Sequence, residues 1–82
     1  MSPLSCLGKG ESAVISGYDL NSGPEPTLQR LVELGFMLNE EVRVVGRAWS
    51  GSPIIVELLG SSFALGQEEA SRIFVKVLSH EP

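Results

Sequence analysis

Two pairs of adjacent carboxylates, Glu40-Glu41 and Glu68-Glu69, are the residues in this chain best suited to holding a hard or borderline divalent cation. Neighbouring side chains in a strand or turn point apart, and no histidine stands near either pair, so both read as solvated surface. The chain has a single His and a single Cys, too few for a zinc-type cluster and none for an internal disulfide. His80 reads as part of a solvated tail, a metal ligand being the rival reading. Cys6 reads as a small apolar filler near the first strand, or else as an exposed thiol. The expectation is no tight metal site and no cofactor.

Other chemistry fares no better. Serines are numerous, but no base stands at a recognisable spacing from any of them, and a Ser-His pair through His80 would rest on a terminus. Gly8-Lys9-Gly10 lacks the long spacing and the following Ser or Thr of a phosphate loop. Arg43 and Arg47 are expected on one strand face, in solvent. The expectation is therefore that the chain is not an enzyme.

Apolar residues in unexpected places carry more information. Phe36 should fill the core beneath a helix. Met37 and Leu38 then fall in a turn, where they either pack onto the end of the fold or form an apolar contact patch. Trp49, at a hairpin tip, is a second candidate anchor, because exposed tryptophan is enriched at interface hot spots. Met37, Leu38 and Trp49 are the candidate partner-binding residues.

The elements that place them follow from period and punctuation. Leu4 and Leu7 precede a turn at Gly8–Gly10. Residues 11–16 alternate, with Ala13 and Ile15 on one face. Residues 17–25 read as a loop. Thr27 is expected to cap a helix with Leu28, Leu31 and Val32 on one face, and Pro26 at or before its first turn. Gly35 stands where a helix stop wants positive φ, and Asn39 offers a second such position. A strand at 42–47, a hairpin tip at 48–53 and a strand at 54–58 come next. A turn at 60–62, a short strand at 63–65, one helical turn at 67–72 and a last strand at 73–77 complete the run, with 78–82 a tail.

Eighty-two residues with 43% hydrophobic and 20% charged side chains make one small globular domain, 1–82, with its core between about 4 and 77. Five short strands in so small a chain would leave costly open edges, which a bent barrel avoids, so the fold class is mainly β: a small SH3-like barrel of about five strands with one short helix and one helical turn. The net charge of −4 argues against nucleic acid and against an anionic membrane surface. No signal peptide or membrane-length apolar run is visible, so the chain is expected in the cytoplasm without membrane insertion.

One family shares this order of residues. Leu4-x-x-Leu7, Gly10 and Ala13-Val14-Ile15 are followed by Arg30-Leu31-x-x-Leu34-Gly35 and Val42-x-Val44. Then come Pro53-Ile54, Gly60, Ala64-Leu65 and Glu69-Ala70-x-x-Ile73-x-Val75. The set resembles the FeoA family, small bacterial partners of the ferrous iron transporter FeoB, over nearly the whole chain. The family usually has Pro-Gly where this chain has Leu38-Asn39. The resemblance implies an SH3-like barrel, no catalytic residues, and a cytoplasmic accessory role in ferrous iron transport through protein–protein interaction with a FeoB-type transporter. The alternative is a detached SH3-like domain related to the C-terminal domain of iron-dependent repressors, acting as an interaction module. Weak homo-oligomerisation is compatible with either.

Overall fold

The structure, a computed structural model, describes residues 2–21 and 23–78. Six strands form one antiparallel sheet in the order β1-β6-β2-β3-β4-β5. They are β1 (Ser2–Pro3), β2 (Ser12–Tyr18), β3 (Glu41–Arg47), β4 (Ile54–Leu58), β5 (Ser61–Leu65) and β6 (Ile73–Val77). Helix α1 (Glu25–Leu34) links β2 to β3, and the short helix α2 (Gln67–Ser71) links β5 to β6. A 3₁₀ turn at Leu4–Cys6 packs against α2.

Alternation builds the core. Ala13 and Ile15, Val42 and Val44, Ile54, Val56 and Leu58, and Ile73 and Val75 are all buried, while Arg43 and Glu57 between them face solvent. Each strand thus gives one apolar face to the interior. Leu28 and Leu31 of α1 and Phe36 after it close one side. The Phe36 and Phe63 rings meet edge to face, with centroids 5.3 Å apart at 65°, a favoured aromatic geometry.

Several sequence expectations need correction. The sheet has six strands rather than five, because Ser2–Pro3 pairs with Phe74 and Val75 of β6. The first long strand continues to Tyr18 across a bulge between Ile15 and Gly17, so Gly17 and Tyr18 are strand and not loop. Thr27 is not the cap: α1 begins at Glu25 behind Pro24, with no side-chain cap bond and a proline in its first turn. Ser61 and Ser62 lie in β5, and the turn before them is the two-residue Leu59-Gly60. Cys6 is exposed. Leu4 and Leu7, three apart on the 3₁₀ turn, take the inward positions and leave Cys6 outside. Ser79–Pro82, with His80, lie outside the described residues.

A second bulge, between Val44 and Gly46, changes the reading of the two arginines. Arg43 stands opposite exposed Glu57, but Arg47 stands opposite buried Ile54. Directly paired residues share a face, so the bulge moves Arg47 to the face opposite that of Arg43.

Candidate functional site

The two ends of the β3–β4 hairpin hold all the candidate contact residues, and they are built differently. At one end α1 stops on Gly35, at φ 118°, and Asn39 takes φ 72°. Gly35 N–H donates to Val32 O at 3.0 Å and Phe36 N–H to Leu31 O at 3.0 Å. Met37 N–H then donates back to Gly35 O at 2.8 Å, so the chain doubles over the helix stop. Asn39 N–H donates to Ile15 O at 2.8 Å, which anchors the turn on β2. Phe36 is fully buried, but Met37 is 49% and Leu38 53% exposed. Both side chains lie largely outside the core.

At the other end, Trp49 is fully exposed. Its loop is held by backbone bonds, Ala48 N–H to Pro53 O at 3.0 Å and Gly51 N–H to Ala48 O at 2.8 Å. The Ser52–Pro53 bond within it is cis. Arg47 reinforces the loop: Nη1 donates to Gly51 O at 3.4 Å, while Nη2 donates to Ser5 O at 2.7 Å and Leu7 O at 2.6 Å. At about 3.3 Å per residue, β3 separates the Trp49 loop from the Met37–Leu38 turn by roughly 20 Å. Met37 and Leu38 are therefore together, and Trp49 is not with them.

Nothing among the described residues assembles for catalysis or for a metal. The Ser16, Ser50 and Ser71 hydroxyls donate to the carbonyls of Phe74, Ser52 and Glu68, not to a base. No three His, Cys, Asp or Glu side chains come together among the described residues. Glu69 instead accepts from Gly66 N–H at 2.9 Å at the start of α2 and from Arg30 Nη2 at 2.9 Å, joining the two helices. No helix among the described residues is long and apolar enough to cross a membrane.

Sequence reasoning missed four residues that shape the surface. Tyr18 donates its phenol to Phe36 O at 2.6 Å, and burial pushes its pKa above the ordinary value. Arg47 is exposed, as expected, but it is also a cross-brace, on the face opposite that of Arg43. Arg72, only 3% exposed, donates Nε to Asp19 O at 3.3 Å and Nη1 to Pro24 O. Leu59 is 67% exposed at φ 52°. Only the dipeptide Leu59-Gly60 carried a usable signal, since glycine is the favoured second residue of a two-residue hairpin turn.

A family model, the FeoA domain, matches residues 2–77. The chain belongs to the FeoA family. It is 29% identical over 76 residues to a Methanocaldococcus jannaschii protein provisionally named Fe(2+) transport protein A, covering 93% of this chain and 87% of that one. The crystal structure of Stenotrophomonas maltophilia FeoA, complexed with zinc and described as a prokaryotic SH3 domain protein, superposes with a TM-score of 0.82. Identity to it is 35%, over 93% of this chain and 91% of that one. The SH3-like class of this FeoA-family fold thus agrees with its solved relatives. A manganese-dependent transcriptional repressor also superposes, with a TM-score of 0.81 at 21% identity, over 93% of this chain and 41% of its own; that likeness is one of fold.

Proposed function

We propose that this FeoA-family chain is a non-enzymatic cytoplasmic accessory protein that binds a FeoB-type ferrous iron transporter and regulates it, without itself carrying iron. The contact is made by the Met37–Leu38 turn, with Trp49 as a second anchor. The observation that supports this reading is the exposure of Met37 and Leu38 beside a core that Phe36 already completes. Two adjacent large apolar side chains in a turn anchored by its own backbone bonds contribute little to the fold and are available to a partner.

The test is Met37→Gln with Leu38→Ser, followed by thermal stability and co-purification with the FeoB-type transporter in parallel. Stability should change by less than about 0.5 kcal/mol, as for surface substitutions away from structural features, while capture of the transporter falls at least about tenfold. Full capture by an intact variant would remove this turn from the interface. The same preparation, free of tags, should show no stoichiometric ferrous or zinc site by calorimetry. It should also shift no DNA fragment in a gel; a shift would favour the repressor-like alternative.

A further inference from the structure

Leu59 is an exposed apolar residue in a strained backbone position. Leu58 lies opposite Ser61, so Leu59 and Gly60 alone join β4 to β5. Both have positive φ, 52° and 82°. This is the type I′ combination, for which Asn-Gly or Asp-Gly is the favoured pair. A leucine there brings its Cβ towards the following carbonyl, a steric cost that short polar residues bear more easily. Burial does not offset that cost, since the side chain is 67% exposed.

The position of this side chain explains what the strain could serve. Leu59 Cδ1 lies 3.3 Å from where a Cβ on Gly35 would stand. It therefore leans over the helix stop, where Leu34, Met37 and Leu38 are also exposed. On its other flank Leu59 lines a cleft of about 470 Å³ with Glu41, Arg43 and Glu57. Arg43 stands opposite Glu57, which leaves Glu41 in excess. Glu33 and Glu40 flank the same apolar turn in sequence. Leu59 thus joins an apolar surface to an acidic cleft.

We propose that Leu59 and the Leu34–Leu38 turn form one docking surface for a basic amphipathic segment of a partner protein. The partner's apolar side chains lie on Leu59, Met37 and Leu38, and a Lys or Arg beside them enters the cleft at Glu41. Charge complementarity selects this occupant over an acidic or purely apolar one. The inference deepens the transporter reading and rests on it for the partner's identity, but not for the partner's chemistry.

Leu59→Asn separates a binding role from a structural one, because asparagine suits the turn. The variant should melt at or above the parent temperature; a clear fall would mean that the leucine serves packing and would overturn the proposal. Binding is read by fluorescence anisotropy with two model helical peptides sharing one leucine face, one carrying lysines and one glutamates. The cytoplasmic domain of the FeoB-type transporter is the third probe. The basic peptide should bind at least about tenfold tighter than the acidic one, and Leu59→Asn and Glu41→Gln should each weaken it, the former by about tenfold. Equal binding of the two peptides, or an unchanged basic peptide with Leu59→Asn, would overturn the proposal. If the transporter domain fails to bind the parent while the basic peptide binds as expected, the transporter reading fails and the surface stands. If the transporter domain binds parent and Leu59→Asn alike, the transporter reading stands and the surface falls.

Discussion

The Met37–Leu38 turn and the Trp49 loop expose apolar side chains at opposite ends of one hairpin, and they do so on different supports. The first rests on backbone geometry: positive φ at Gly35 and Asn39, with bonds to α1 and β2. The second has backbone bonds and a positive φ at Gly51 as well, but it adds a side-chain brace: Arg47 Nη2 reaches the carbonyls of Ser5 and Leu7 and Nη1 reaches Gly51 O. An end set by backbone conformation should break when that conformation is denied. An end braced by a guanidinium should loosen when the guanidinium is removed, leaving the barrel intact.

The largest effect is expected at Gly35. Its φ of 118° is open to glycine and strained for any other residue, and an added Cβ would meet Leu59 Cδ1 at 3.3 Å and Leu58 Cδ2 at 3.4 Å. Gly35→Val should cost about 2–3 kcal/mol and lower Tm by about 10 °C or more. An unchanged melting temperature would show that the helix stop does not depend on this conformation.

Arg47→Met is expected to come next, at about 1–2 kcal/mol, because it keeps much of the aliphatic stem and removes charge-assisted bonds to three carbonyls. Proteolysis should then cut more readily near the Trp49 loop than near the Met37–Leu38 turn. Equal protection of both ends would end the contrast.

This contrast was only half legible in the sequence. Alternation at Val42–Val44 and Ile54–Leu58 shows inward and outward faces directly, and Gly35 after a helical pattern marks the stop. Arg47 was hidden by the bulge, which a period-two reading carries straight through. The two-residue β1 is too short to show a period. The start of α1 at Glu25 leaves no cap to read, since Pro24 has no side-chain acceptor. Tyr18 looked like loop because Gly17 reads as punctuation, whereas here it sits at the bulge. Leu59-Gly60 gave only its glycine, because leucine is an unusual first residue for such a turn.

Tyr18 ties β2 to the turn through Phe36 O, so Tyr18→Phe should cost about 0.5–1.5 kcal/mol. Burial raises the folded-state pKa above the ordinary value of 10.0. The folded state therefore holds the phenolic proton more tightly than the unfolded one. That contribution is fully present below about pH 10 and is lost as pH rises through the folded value. The parent should lose stability above pH 10 more steeply than Tyr18→Phe, as read from paired melting curves. Parallel curves would mean that the phenol is not protected.

Trp49→Ser should have the smallest effect on the fold, within about 0.5 kcal/mol of the parent. The indole is fully exposed, and backbone bonds together with Arg47 hold the loop without it. Its effect on binding sharpens the comparison. A single helical segment lying on the Leu59 end would need about 13 residues to cover the roughly 20 Å to Trp49, so the two ends meet different parts of a partner. Sites this far apart with no shared partner residue should act independently. Trp49→Ser should weaken transporter capture about threefold, and combination with Met37→Gln and Leu38→Ser should multiply the losses. Unchanged capture would leave the interface wholly at the Met37–Leu38 end. A combined loss well short of the product would show the two ends acting through one shared contact.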